Sequence, residues 1–273
     1  MASLVDLHSH VLPGVDDGSE TIANSLEMLR RGLAEGIRIA VLTPHLHPHD
    51  DARKEEFHRQ QFMQLQQAVR EVKLDVWLHL GAEIGFRFNL AEAAGWPSGT
   101  LSGNGQYPLI DLPMGALSPG LEQGFFELRT AGYKPILAHP ERHRLLASDG
   151  EQLERLRDQD LLFQVNAGSL TGQFGRRARA AAEWLLERSW VDFVASDGHD
   201  LEKRPFSLVE AYQRVTELAG ADEAERLFCR NPLQAIRGGP IEAAPAAVPG
   251  FAHRGEPKSR GAGVWKRLTG EME

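Results

Sequence analysis

The stretch VDLHSHVLPGVDDG, residues 5–18, carries the reading on which the fold turns. Leu4 and Val5 lead into Asp6, His8 and His10, and the chain then passes Pro13 and Gly14 to Asp16 and Asp17. On an extended strand residues i and i+2 face the same side, so His8 and His10 can grip one ion. Two readings compete. One is a polar turn after an edge strand, since aspartate suits turns and helix starts. The other is one wall of a metal site.

Working outward, short apolar runs alternate with longer amphipathic segments. Strands are expected at SLVDLH (3–8), IRIAVLT (37–43), LDVWLHLG (74–81), YPLIDL (107–112), KPILAH (134–139), LLFQVN (161–166) and VDFVAS (191–196). Helical spacing marks 25–35, where Leu26, Leu29, Arg30 and Leu33 recur and Gly36 stands ready to stop the helix. The segments 52–72, 120–131, 151–157, 177–187, 208–218 and 223–228 read the same way, the last ending at Asn231-Pro232. Repeated βα units imply a parallel sheet, and about seven of them are enough to close it into a barrel. The expected organisation is one α/β domain over residues 1–237. A poorly ordered tail, rich in Ala, Pro, Gly and charge, is expected over 238–273.

The informative polar residues fall just after these strands. His8 and His10 end the first, His45 follows the second and Glu83 the third; Asp111 closes the fourth, His139 the fifth, and Asp197 with His199 the seventh. In a parallel barrel those ends converge on one face, where active sites are assembled. Each piece alone has an ordinary reading as a turn, a strand terminus or a packed histidine. Their recurrence at strand ends favours the metal site. Imidazoles and carboxylates without thiolates suit Zn, Mn or Fe rather than a structural zinc cage. Carboxylates can bridge neighbouring ions, and ions about 3.5–4 Å apart can clamp the attacking and leaving oxygens of a phosphate ester. His47 and His49 lie in a loop beyond His45, His58 in a helix and His79 inside a strand, where packed or solvated roles are expected; His143 is left open and His253 is set aside.

Two arginines point to the substrate. Arg142 follows His139 in HPER, and Arg204 follows His199 in DGHDLEKRPF. A guanidinium fork suits phosphate oxygens, and the ordinary alternative is a surface salt bridge. The run GRRARAAAEWLLER (175–188) is read as a solvated helix surface, with contact to an acidic partner as its alternative.

Composition excludes several classes. A formal net charge of −8 argues against a general nucleic-acid or anionic-membrane binder. Cys229 is the only cysteine, so there is no intramolecular disulfide framework, no cysteine-based zinc site and no Cys-x5-Arg nucleophile loop. No leader pattern or membrane-length apolar run is present in the sequence, and a cytoplasmic location with no membrane insertion is expected.

Taken together, DLHSHVLPGVDDG, TPHLHP, GAEIGF, LIDLP, ILAHPERH and VASDGHD resemble the PHP (polymerase and histidinol phosphatase) superfamily. More narrowly they are similar to its bacterial protein-tyrosine phosphatases, which act on tyrosine kinases controlling capsular and extracellular polysaccharide synthesis. The similarity runs from about residue 3 to 235. It implies a distorted (β/α)7 TIM-like barrel with three divalent metal ions, Mn first and Zn or Fe as alternatives. It places His8, His10, Glu83 and Asp197 around one ion. Glu83 would bridge to a second ion shared with Asp111 and His139, and Asp17, His45 and His199 would hold a third. Arg142 and Arg204 match phosphate-contacting arginines. Position 17 rather than 16 is chosen on family position; spacing alone does not separate Asp16 from Asp17. One departure is visible: the fourth-strand ligand is usually glutamate, in a pattern like IEFP, where this chain has Asp111 in IDLP. The implied activity is phosphotyrosine hydrolysis, with a phosphotyrosyl protein, a bacterial tyrosine autokinase, as partner. The alternatives are a small-molecule phosphatase such as a histidinol-phosphate phosphatase, a nuclease-like phosphodiesterase, or a non-catalytic metal-dependent phosphotyrosine-binding regulator.

Overall fold

A computed structural model of the chain describes residues 3–113, 117 and 120–244. Its strands are β1 (Leu4–Ser9), β2 (Ile37–Leu42), β3 (His45–Leu46), β4 (Trp77–Leu80), β5 (Glu83–Gly85), β6 (Leu109–Asp111), β7 (Ile136–Ala138), β8 (Leu162–Asn166) and β9 (Phe193–Ala195). All pairings are parallel. They form a three-stranded sheet, β1-β2-β4, and a six-stranded sheet, β3-β5-β6-β7-β8-β9.

The expected second and third strands each break and resume in the other sheet. Pro44 has no N–H to give a ladder, so the chain turns between β2 and β3. Gly81 and Ala82 separate β4 from β5. Backbone bonds carry pairing across both breaks: Gly81 N–H donates to Leu42 O at 2.9 Å and Glu83 N–H to Pro44 O at 3.2 Å. At the other side, Asp197 N–H donates to His8 O and His10 N–H to Gly198 O, both at 2.9 Å. These contacts bring the first and last strands together, but no ladder closes into a barrel among the described residues.

Helices cover the sheets. The segment Ile22–Glu35 starts one turn earlier than its apolar spacing indicates, because Thr21 caps it by accepting from Asn24 N–H; Gly36 ends it at φ 104°. Ala52–Glu71 is capped by Asp51. Leu121–Thr130, Gly150–Asp158, Gly175–Glu187 and Val209–Ala219 lie where expected to within two residues. Asn231-Pro232 does not end the last helix. A π turn, Arg226–Arg230, runs on into Asn231–Arg237, with proline tolerated in its first turn. Gly238 to Glu242, expected to belong to the loose tail, packs on the domain: Tyr107 Oη donates to Gly239 O and Glu242 N–H to Asn231 Oδ1. The rest of the expected tail, from Pro245, lies outside the described residues.

Leu7, Leu42, Ile84, Ile110, Leu137, Phe163 and Val194 are fully or almost fully buried between strands and helices. Burying such side chains stabilises by roughly 1.5–3 kcal/mol each. This apolar foundation fixes the strands' carboxyl ends, where nearly all the polar residues named above emerge.

Candidate metal centre

His8 on β1 and His10 just past it are both fully buried. Their Nε2 atoms lie 3.3 Å apart, and each approaches Glu83 Oε2, at 3.5 and 3.3 Å, and Asp197 Oδ1, at 3.6 and 3.4 Å. His45 Nδ1 lies 2.8 Å from Glu83 Oε2. His139 Nε2 lies 2.8 Å from Glu83 Oε1. Asp17 Oδ1 reaches His45 Nε2 at 3.3 Å and His199 Nε2 at 3.4 Å.

Three overlapping groups result: His8, His10 and Asp197; His8, Glu83 and His139; and His10, Asp17, His45 and His199. Within each group one nitrogen or oxygen per residue lies within 4.8 Å of all the others. Asp111 stands at the edge, its Oδ1 3.9 Å from His139 Nδ1 and outside all three groups. Among the other histidines, His79 hydrogen-bonds Ser102 Oγ and His143 hydrogen-bonds Pro113 O, while His47 stacks beside His45.

Backbone strain marks the same place. His139 and Asp197 hold φ values of 33° and 52°, a left-handed conformation costly for non-glycine residues and concentrated at functional sites. Gly18 folds the VDDG loop onto β1: a Cβ there would collide with the His10 carbonyl, to which Ser19 N–H donates at 2.9 Å.

Several orienting residues escaped the sequence reading. Asp16 accepts from His10 Nδ1 at 2.8 Å, and its carboxylate also takes the N–H of His45 and Gly18, both at 3.0 Å. The two aspartates of the loop therefore divide the work, Asp16 aiming rings and Asp17 facing them. Gln164 Oε1 lies 2.8 Å from His8 Nδ1; Gln164 Nε2 donates to Asn166 Oδ1 at 2.8 Å, and Asn166 Nδ2 to Asp197 Oδ2 at 2.5 Å. With Nδ1–H donated to Gln164, His8 keeps its Nε2 lone pair for the cluster. The signal was legible in LLFQVN: two polar side chains at i and i+2 on an otherwise apolar strand.

Asp197 serves two directions. Its Oδ2 accepts from Asn166, from Arg142 at 2.8 Å and from Arg204 at 2.6 Å, which leaves Oδ1 to the histidines. Both guanidinium groups lie over Phe174, at 4.1 and 6.0 Å from the ring centre. Phe174 carried no sequence signal.

The electrostatics favour a cation. Burial alone would raise Glu83 and Asp197, but His8 and the neighbouring imidazoles hold both carboxyls well below their usual range. The adjacent His199 and His45 imidazoles lower Asp17 as well. Conversely, Asp111 is raised to about 6 by burial and by the Glu83 charge. Burial opposes charge on His45 and His139, yet Glu83 and its neighbours push them up to about 10 and about 9. A field that raises imidazole basicity equally attracts a metal ion to the same lone pairs. Two buried atoms in the cluster, Glu83 Oε2 and His199 Nε2, have no hydrogen-bond partner. Orphaned acceptors among nitrogen and oxygen donors fit a divalent cation.

A parallel α/β scaffold that gathers such ligands at its strand ends defines a metal-binding α/β protein. Comparison narrows the class: residues 4–237 match the family "Capsular polysaccharide synthesis, CpsB/CapC", and the chain belongs to that family. Among its relatives are the tyrosine-protein phosphatase YwqE of Bacillus subtilis, 33% identical over 84% of this chain and 92% of that one, and the tyrosine-protein phosphatase CpsB of Streptococcus pneumoniae, 28% identical over 85% and 98%. A crystal structure from work on these two, described there as unique metal-dependent tyrosine phosphatases, superposes with a TM-score of 0.81 at 28% identity, covering 89% of this chain and 98% of the other. No described helix is long and apolar enough to cross a membrane.

Proposed function

We propose that the chain is a metal-dependent phosphomonoesterase that hydrolyses phosphotyrosine in proteins, its physiological substrate being the tail of a bacterial tyrosine autokinase that controls polysaccharide synthesis in the cytoplasm. One observation carries this reading: Asp197, a member of one of the overlapping nitrogen and oxygen clusters, also accepts from two arginines poised beside it. Family membership supports the substrate class.

In this reading the strand tracks compose a distorted (β/α)7 barrel and the site takes three ions, Mn first. His8, His10, Glu83 and Asp197 would hold one, Glu83, His139 and Asp111 a second, and Asp17, His45 and His199 a third. Bound divalent ions would polarise the phosphoryl oxygens and lower the pKa of a water for attack. Arg142 and Arg204 supply guanidinium forks that suit the phosphoryl oxygens and neutralise the charge building on them. Phe174 beneath both keeps them at the mouth. A phenol with a pKa of about 10 leaves without strong acid assistance. Cys229 takes no part: burial and Glu225 push its thiol up to about 12, far from thiolate character at neutral pH.

The test compares kcat/KM for a phosphotyrosyl peptide, histidinol phosphate and a phosphodiester under saturating Mn. The phosphotyrosyl peptide is expected to be the best substrate by at least about tenfold, which is 1.4 kcal/mol of transition-state preference. Faster turnover of histidinol phosphate or of the diester contradicts the proposal.

A further inference from the structure

The rim of the site is electrically lopsided. The chain is acidic overall, at −8, yet one side of the mouth is built from arginines. Phe174, which lies under Arg142 and Arg204, directly precedes the helix Gly175–Glu187. Its first turn carries Arg176 and Arg177 and no acidic residue. Arg177 donates to the Arg144 carbonyl at 2.9 Å, which ties this turn to the loop two residues beyond Arg142. Arg144 and Arg176 are exposed, and among the described residues no carboxylate lies within ion-pair distance of Arg144, Arg176 or Arg177. By contrast Arg179, one turn further on, is neutralised by Glu183 at 3.0 Å.

The adjoining loop, whose Lys203 carbonyl accepts from Gln173 Nε2, carries the opposite sign. Asp17, Glu20, Asp200 and Glu202 line a cavity of about 460 Å³ that reaches His199, with Lys203 as its only basic residue. Unpaired arginines at a site entrance, on a chain whose net charge would otherwise repel anions, are a steering and docking device.

We propose that Arg144, Arg176 and Arg177 form a docking surface for acidic side chains flanking the phosphotyrosine of a peptide substrate. The inference rests on the phosphotyrosine reading above and adds to it a substrate preference and an orientation. The acidic flank lies along the start of the helix Gly175–Glu187, and the Asp200–Glu202 loop turns acidic residues away from the direction of His199. Exposed guanidinium groups contribute through long-range attraction, so the effect falls on KM and is screened by salt.

The experiment uses the full-length chain loaded with Mn and three phosphotyrosyl peptides whose flanks are Asp/Glu, Ser/Gly or Lys, with p-nitrophenyl phosphate as a reference lacking flanks. Fluorescence anisotropy of the labelled peptides gives binding independently of turnover. In low salt the acidic peptide is expected to bind and react roughly tenfold better than the neutral one, mainly through KM, and the advantage should disappear at about 0.5 M salt. The double variant Arg144→Glu/Arg176→Glu should lose or invert the preference while hydrolysing p-nitrophenyl phosphate at the parent rate, which also reports an intact fold. Equal treatment of the three flanks by the parent chain, or an unchanged preference in the variant, overturns the proposal. If anisotropy shows the arginine-dependent preference but no peptide is hydrolysed, docking stands and the phosphatase reading fails. If peptides are hydrolysed without preference, the reverse holds.

Discussion

The residue scale shows how much support a ligand cluster needs beyond its own ligands. His8 and His10 are legible in a bare HSH, but what aims them is not. Gln164, Asn166 and Asp16 fix the ring faces and leave defined atoms free. Sequence separations of 156 and 31 residues explain why Gln164–His8 and Asn166–Asp197 could not be read from local spacing. Polar alternation in LLFQVN is nevertheless visible, although Gln and Asn are not metal ligands of first choice. Gln164→Met keeps the volume and removes both hydrogen bonds, so His8 loses its fixed tautomer. Mn affinity is expected to fall by roughly 10–100-fold, the usual cost of removing an outer partner of a ligand, measured by titrating apo protein and following free Mn by electron paramagnetic resonance. Parent-like affinity would show that Gln164 only fills space.

At the scale of elements, apolar periodicity located the main strands and helices well, and chain breaks poorly. β3 and β5 are short resumptions after Pro44 and Gly81, too brief to carry a pattern of their own. Short helices at Leu90–Ala94 and Ala167–Thr171 escaped for the same reason. The long helix Ala52–Glu71 holds a less visible feature: His58 is fully buried, and neither ring nitrogen has a hydrogen-bond partner. Burial first, then the Lys54 charge, lowers its pKa to about 4 from 6.5. The unfolded chain therefore takes up a proton below pH 6.5 that the folded chain declines until about pH 4. The resulting stability is fully present above pH 6.5 and drains away as the pH falls to about 4, by about 3 kcal/mol. Urea unfolding of His58→Leu and the parent across this range, both in chelator, should show a correspondingly shallower pH dependence in the variant. Parallel curves would mean that His58 takes up its proton in the folded chain as easily as in the unfolded one.

Across the whole molecule, distant segments meet at Arg226, which is almost fully buried. It donates to both oxygens of Glu223, to Val191 O ahead of β9 and to Glu242 O. Arg226→Met strands the Glu223 charge in the interior and is expected to cost about 3–5 kcal/mol in chemical denaturation. Adding Glu223→Leu should recover much of that loss, and Mn affinity at the distant strand ends should stay unchanged. Failure of the second substitution to rescue would place the cost in packing rather than in the unpaired charge. This junction was hidden in the sequence because Asn231-Pro232 reads as a stop, although proline is well placed in the first turn of the helix that continues. The parallel α/β architecture and the convergence of the strand-end residues were legible because both follow from the order of βα units. The two-sheet break and the inward packing of Gly238 to Glu242 were not, since they depend on which distant groups accept hydrogen bonds.

The central claim is that divalent ions held by the strand-end cluster, and no protein thiol, perform phosphotyrosine hydrolysis. Its most direct measurement strips purified protein with chelator, restores Mn stepwise, and follows bound metal and phosphotyrosyl-peptide hydrolysis together, for the parent chain and for Cys229→Ser. Activity is expected to be abolished by chelation, to return in proportion to bound Mn, and to be the same in both proteins. Hydrolysis that survives complete metal removal, or that is lost with Cys229, would contradict the account.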